Sequence, residues 1–135
     1  MSKPIPTVSK FMSTSPHSIG KSQSIARAKQ VMHDFGIRHL PVLEGGHLVG
    51  VVSDRDVALL EALREVDVEQ VAIEDAMSQL VYTITPDAHL DEVAAEMADK
   101  RYGSAVVLDG GKVVGILTTT DLARALAELL RTRLA

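Results

Sequence analysis

The sequence predicts an α+β protein built from two copies of one β-α-β-β-α unit. The chain has 135 residues, and residues 11–57 align with 76–122 without a gap, with 12 identical positions. Each copy alternates short β-branched runs with stretches of helical apolar spacing, so strands and helices are expected in the same order twice. Because a unit of about 60 residues buries only about 60% of its unfolded surface, we expect the copies to pack through their sheets as one pseudo-twofold module.

The first copy is expected at residues 8–66. A short apolar strand at 17–19 precedes a helix whose apolar positions recur at helical spacing, namely Ile25, Ala28, Met32 and Phe35. Strands at 40–43 and 48–52 flank Gly45-Gly46, and paired glycines accept the positive φ angles of a tight hairpin turn. A second helix is expected to begin near Asp54.

The second copy is expected at residues 72–131. It repeats the order with a strand at 81–84, a helix from about Leu90, a hairpin turning at Gly110-Gly111 and a last helix from about Thr119. The last helix carries a leucine stripe that we interpret as core, with a dimer face as the alternative, at Leu122, Leu126, Leu129 and Leu130. Four methionines are interpreted as fillers of core gaps, Met12, Met32, Met77 and Met97.

The composition excludes several classes of function. The absence of cysteine excludes disulfides, thiolate nucleophiles and cysteine-based zinc sites. A net charge of −4 with only two Phe and two Tyr argues against nucleic acid as a partner. No apolar run approaches the roughly 18 residues of a membrane helix, and no secretory signal is evident, so a cytoplasmic protein is expected. The five histidines show no metal-ligand spacing, so no metal site is expected.

A hydroxyl residue followed three positions later by aspartate occurs at the same place in both copies. Ser53 and Asp56 follow the last strand of the first copy, and Thr118 and Asp121 follow that of the second. This spacing is typical of a capping box, which satisfies free N–H groups at a helix start. The same geometry suits a ribose phosphate, because a helix N-terminus attracts phosphate and a carboxylate accepts ribose hydroxyls. The residues alone leave both interpretations open.

The whole set of motifs resembles a tandem pair of CBS domains, also called a Bateman module. The resemblance covers nearly the whole chain, and its motifs are Arg38–Val42, the two glycine turns, Gly50–Asp56, Thr83–Asp87, Gly103–Val107 and Gly115–Asp121. It implies a non-enzymatic regulatory module that binds an adenosine-containing nucleotide in clefts between the repeats. AMP, ADP or ATP are the foremost candidates, followed by NAD and S-adenosylmethionine, and no cofactor is required.

The resemblance also implies the positions that contact the ligand. Asp56 and Asp121 would hold ribose, and Ser53 and Thr118 ribose or phosphate. The adenine would lie against Ser18-Ile19 and Thr83-Ile84. The remaining matched positions are Arg38, His39 and Arg55, which could reach phosphates, together with Pro41, Ser104 and Ala105. Because the counterparts of the three basic residues are Gly103, Ser104 and Thr120, we expect the two clefts to differ in their preference for phosphate.

No catalytic residue is expected, so the module would act on an unidentified regulated protein in trans, and a homodimer is implied by the resemblance. An alternative is a structural dimerisation module with unoccupied clefts. A small nucleotide hydrolase is disfavoured, because the chain has no glycine-rich phosphate loop with lysine and no carboxylate-rich metal site.

Overall fold

The computed structural model of the protein describes residues 4–14, 17–64 and 67–133. Within them the chain forms two sheets and four α-helices, which confirms the predicted α+β class. In chain order the elements are β1 Ser13–Thr14, β2 Ile19–Gly20, α1 Ile25–Phe35, β3 His39–Glu44, β4 His47–Ser53, α2 Asp54–Arg64, β5 Thr83–Ile84, α3 Leu90–Lys100, β6 Ser104–Asp109, β7 Lys112–Thr118 and α4 Thr119–Arg133. Single 3₁₀ turns lie at Val8–Lys10 and Ile73–Asp75.

The chain divides into two compact units whose limits differ from those of the sequence repeats. A central unit comprises residues 16–81, and a split unit combines residues 1–15 with 82–135. Each unit thus contains the five β-α-β-β-α elements of one copy together with the segment that leads into the first strand of the other copy. The repeat limits 8–66 and 72–131 remain a proposal about the sequence copies, and residues 65 and 66 lie outside the described part of the chain.

The central unit has a three-stranded sheet in the order β2-β3-β4. The strand β2 pairs in parallel with β3, and β3 pairs antiparallel with β4. Three of the four predicted apolar positions of α1 are buried in the core, whereas Phe35 is 55% exposed and stacks on the His17 ring at 3.7 Å between centroids. The predicted helix includes Phe35, but this residue lies at the last position of α1, at the edge of the core.

The split unit has a four-stranded sheet in the order β1-β7-β6-β5. Its core contains Leu90, Met97 and Leu117, and the interpretation of Met97 as a core residue is confirmed. The leucine stripe of α4 departs from its core interpretation, because Leu126 is 59% and Leu130 is 49% exposed while Ala125 is buried. The side of α4 that packs inward contains the smaller Ala125 and Asp121, so the largest apolar side chains of the helix lie partly outside the core.

Both glycine pairs form the hairpin turns that the sequence predicts. Gly45 and Gly46 have φ angles of 57° and 81°, and Gly110 and Gly111 have 59° and 82°. Two consecutive positive φ angles are typical of a type I′ turn, whose twist matches that of the flanking strands. Each hairpin therefore fixes the register of its antiparallel pair, and with it the point at which the second strand meets the following helix.

Candidate functional site

The first candidate site is the Asp56 corner, residues 53–56, where β4 ends and α2 begins. The Ser53 N–H donates to Asp56 Oδ2 at 2.9 Å, and the Asp56 N–H donates to Ser53 Oγ at 3.1 Å. These reciprocal bonds form a capping box, so the structural interpretation of the motif is confirmed here. The bonds leave Asp56 Oδ1 without a donor in the described part of the chain, and Asp56 and Ser53 are both half-buried.

The equivalent Asp121 corner, residues 118–121, lies between β7 and α4. The Thr118 N–H and Oγ1–H both donate to Asp121 Oδ2, at 2.9 and 3.1 Å. The Asp121 N–H donates in turn to Thr118 Oγ1 at 3.3 Å. Asp121 is only 4% exposed, which is far below the exposure of most aspartates. The capping box therefore recurs in the second copy around a more deeply buried carboxylate.

Strand pairing brings further predicted residues to each corner. His39 lies opposite Ser53 in the β3–β4 ladder, and Ser104 lies opposite Thr118 in the β6–β7 ladder. The Asp54 N–H donates to the Arg38 carbonyl at 3.0 Å, which holds the start of β3 against the start of α2. Thus the local fold of each unit assembles the residues that the sequence had only grouped by motif.

The basic side chains distinguish the two corners. Arg38 and Arg55 are both exposed near the Asp56 corner, and in the described part of the chain neither takes part in an ion pair. Their counterparts Gly103 and Thr120 carry no charge. Burial lowers the pKa of His39 below its ordinary value of 6.5, although the nearby carboxylates of Asp54 and Asp56 oppose this effect.

Four predicted ligand positions lie in the interior. Their side chains are buried, and they are Ile19, Pro41, Ile84 and Ala105. Ser18 and Thr83, the neighbours of the two isoleucines in sequence, are exposed. Ile19 pairs with Val42 and Thr83 with Val106, so each first strand lies beside β3 or β6 and one strand away from the strand that ends at the corner. Ser18, which precedes β2, and Thr83, in β5, are therefore the predicted adenine contacts with exposed side chains.

Two features near the Asp121 corner were missed by the sequence analysis. Arg124 Nη1 lies 3.2 Å from Asp121 Oδ1, and the Ser13 hydroxyl donates to the same oxygen at 3.4 Å. The i,i+3 spacing of Asp121 and Arg124 was a usable signal for the ion pair. Ser13 lies 108 positions away in sequence, and no local pattern indicates such a contact.

A cavity of about 570 Å³ opens between α1 and α2 of the central unit. Its apolar floor includes Met32 and Val57, and its rim carries the Lys29–Glu61 ion pair, with 3.2 Å between Nζ and Oε1. None of the predicted ligand residues lines it. Among residues 4–14, 17–64 and 67–133, no cluster of metal-ligating side chains occurs, and no helix is long and apolar enough to cross a bilayer.

Comparison with known proteins gives the family. The CBS domain family matches residues 8–62 and 73–128. The CBS domain-containing protein YhcV of Bacillus subtilis is 28% identical over 87% of this chain and 83% of its own length. The L-aspartate semialdehyde sulfurtransferase of Methanocaldococcus jannaschii is 34% identical over 92% of this chain, which spans only 24% of that enzyme. Homoserine O-acetyltransferases are matched over a similarly small share of their length.

Solved structures agree with this assignment. AcuB of Vibrio cholerae superposes with a TM-score of 0.86 at 27% identity, covering 96% of both chains. The CBS domain pair of protein MJ0100, solved in complex with 5′-methylthioadenosine and S-adenosyl-L-methionine, superposes with a TM-score of 0.85 at 30% identity, covering 93% of this chain and 98% of that one. On the two matched copies, the recurring corners and these structures, the chain belongs to the CBS domain family.

Proposed function

We propose that the chain is a cytoplasmic, non-enzymatic regulatory module that binds an adenosine-containing nucleotide and acts on a separate partner protein. The observation that carries this proposal is the Asp56 corner, where a carboxylate with an open oxygen lies at a helix N-terminus beside a hydroxyl. AMP, ADP and ATP are the foremost candidates, with NAD and S-adenosylmethionine behind them. The ligand would be a regulatory signal rather than a cofactor.

The chemistry of the corner suits a ribose that carries an anionic group. A carboxylate offers about four acceptor positions, and in the described chain only the Ser53 N–H and no side chain donates to Asp56. The ribose hydroxyls can therefore donate to the open oxygen. Arg38 and Arg55, both exposed, supply positive charge near the N-terminus of α2, where a phosphate is also favoured by the helix dipole.

The similar CBS pair of MJ0100 supports the class of ligand. That protein was solved with two adenosine-containing molecules and is 30% identical to this chain. A regulatory role requires that the ligand bind one conformation of the protein more tightly than another, because only then does binding shift the population. The partner would read that shift, and we propose no particular partner.

The test is a thermal-shift and calorimetry panel on ligand-stripped protein with AMP, ADP, ATP, NAD, S-adenosylmethionine and, as a control, GTP. A ligand at 100 times its Kd adds about 2.7 kcal/mol to stability, which gives a visible rise in Tm. Asp56→Asn retains an oxygen for the Ser53 N–H but loses the charge. Since a hydrogen bond to a charged group contributes about 1.5–3 kcal/mol, the variant is expected to bind at least about tenfold more weakly.

A matched control separates lost binding from a lost helix cap. Ser24 Oγ accepts the Arg27 N–H at the start of α1, so Ser24→Ala removes a cap outside the predicted site. The loss of this cap is expected to lower the free energy of unfolding by roughly 1 kcal/mol, and with it the Tm in the absence of ligand. The rise in Tm on adding ligand should remain intact. A parent-like response of Asp56→Asn to every ligand would contradict the site assignment.

A structural dimerisation module is the second candidate. The exposed Leu126 and Leu130 lie one turn apart on α4 and are the observation that favours it. Homodimer formation belongs to both candidates and is measured by light scattering with and without nucleotide. A stable dimer that responds to no ligand of the panel would favour the structural role over the regulatory one.

A further inference from the structure

The two aspartate carboxylates differ in how many of their acceptor positions are already used. Asp121 receives four donors, from the Thr118 N–H, the Thr118 hydroxyl, Arg124 and the Ser13 hydroxyl. A carboxylate has about four acceptor positions. Asp121 is therefore saturated by the protein itself, and its burial leaves no space for a further donor from solvent.

Asp56 has the same capping box but, in the described part of the chain, none of these three additional donors, since the Ser53 hydroxyl accepts the Asp56 N–H and does not donate to its carboxylate. The residue equivalent to Arg124, 65 positions earlier in the chain, is Leu59, which has no polar group. The residue equivalent to Ser13 is Ser78, whose hydroxyl donates to the Leu80 carbonyl at 3.4 Å and not to Asp56. One chain thus carries an open and a saturated form of the same corner.

We propose that Arg124 closes the Asp121 corner, so that an adenosine-containing ligand occupies the Asp56 corner first. This inference rests on the proposed nucleotide binding and adds a specificity-determining residue to it. To accept a ribose at Asp121, the protein must give up the Arg124 contact and the Ser13 contact. The Arg124 side chain is 69% exposed, so it can rotate into solvent. The ion pair therefore competes with ribose for Asp121 but does not exclude it permanently.

The sequence difference between the copies supplies the test variants. Arg124→Leu gives the second copy the residue of the first, and Leu59→Arg does the reverse at a position that is 58% exposed. In the reverse variant, the introduced guanidinium lies three residues after Asp56, at the spacing that joins Asp121 and Arg124. Both substitutions change exposed positions, so the fold is expected to tolerate them.

Calorimetric titration with 5′-methylthioadenosine, which has no phosphate, separates the ribose contact from general charge attraction, and AMP is titrated in parallel. The parent is compared with Leu59→Arg, which is expected to bind about two- to fivefold more weakly, the usual range for one exposed ion pair. In an Asp56→Asn background, Arg124→Leu is expected to strengthen the residual binding at Asp121 by a similar factor. Arg131→Leu in that background removes an exposed charge of the same helix and is the matched control.

The outcomes separate this inference from the proposed function. If the parent binds ligand, Leu59→Arg binds as tightly as the parent, and Arg124→Leu does not change the affinity of the Asp56→Asn variant, the inference is overturned while nucleotide binding stands. An equal effect of Arg131→Leu and Arg124→Leu would also overturn it, because general charge would then explain the change. If the parent shows no heat of binding with 5′-methylthioadenosine, AMP or the rest of the nucleotide panel, the proposed function is overturned, and this inference with it.

Discussion

At the scale of single residues, His39 connects the candidate site to pH. It lies opposite Ser53 at the start of β3 and is half-buried. Burial lowers its pKa, because the charged imidazolium loses hydration, while Asp54 and Asp56 partly offset this loss. The native protein therefore holds His39 neutral at a pH at which the unfolded chain has begun to bind a proton there.

This pKa shift predicts a loss of stability on acidification. As the pH falls below about 6.5, the ordinary histidine pKa, the unfolded state gains a proton that the native state resists. The free energy of unfolding then decreases until the pH reaches the lower native pKa, and it is fully retained above 6.5. Urea unfolding at pH 7.5 and 5.5 measures the change, which His39→Gln should reduce. His47→Gln, at an exposed position of the same hairpin, is the control, and equal changes in all three proteins would contradict the prediction.

The residue pattern of the corners was predictable because it is local. Ser53 with Asp56 and Thr118 with Asp121 follow the capping-box spacing, and the reciprocal bonds form as that spacing requires. The saturation of Asp121 was not predictable in full, since Ser13 reaches it from a distant segment. A repeated motif therefore predicts a repeated backbone geometry, but the availability of its carboxylate depends on tertiary neighbours.

At the scale of elements, a Met-Ser dipeptide packs directly against a glycine of β4 in the central unit and of β7 in the split unit. In the central unit, a Cβ placed on Gly50 would lie 2.7 Å from Met77 Sδ and 2.8 Å from the Ser78 carbonyl oxygen. In the split unit, a Cβ on Gly115 would lie 2.6 Å from Met12 Sδ and 3.0 Å from the Ser13 carbonyl oxygen. This shared crossing explains why methionine and glycine are identical in the two copies, because the methionine side chain fills the space that a Cβ on the glycine would occupy.

The crossing predicts that Gly50→Ala and Gly115→Ala are both destabilising. The methionine side chains are flexible and can move. The serine carbonyl oxygens, however, belong to backbone that pairs with β4 and β7 and cannot move as easily. Overpacking of this kind costs about 1–3 kcal/mol, to be measured by chemical denaturation. Gly20→Ala is the control, because its Cβ would approach only the Gln23 side chain, at 3.4 Å. Parent-like stability of both variants would show that the crossing segments shift without cost.

The hairpins were the most predictable elements, and the first strand of each copy the least. A glycine pair between β-branched runs has few alternatives to a tight turn, and both pairs have the expected positive φ angles. The first strands contain only Ile19–Gly20 and Thr83–Ile84, because their pairing depends on parallel neighbours distant in sequence. The leucines of α4 were misassigned for a related reason, since helical spacing identifies a face but not how much of it is covered.

At the scale of the whole molecule, the segment that leads into each copy belongs to the compact unit of the other copy. Residues 1–15 belong to the split unit, and residues 67–81 belong to the central unit. Residues 67–81 complete the central unit, where the Ile25 N–H donates to the Val71 carbonyl and the Ile73 N–H to the Gln23 carbonyl. Ile73 is fully buried in that core. In the split unit, the Val8 N–H donates to the Ala88 carbonyl, and Val8 is equally buried. The repeat pattern could not predict this exchange, because it reports similarity between segments and not which segments contact each other.

The exchange predicts which half of the chain folds better when it is expressed alone. A fragment of residues 16–81 and one of residues 1–66 have equal length, and both contain the five β-α-β-β-α elements of the first copy, from β2 to α2. Only the former retains Ile73 and the backbone partners of α1, whereas the latter carries the segment 4–14, which belongs to the other unit. A unit of about 60 residues is marginal by itself, so removing one fully buried isoleucine and several backbone bonds should be decisive. Circular dichroism is expected to show a cooperative thermal transition for 16–81 and little fixed structure for 1–66. Equal structure in both fragments would mean that the sequence repeat, and not the compact unit, is what folds.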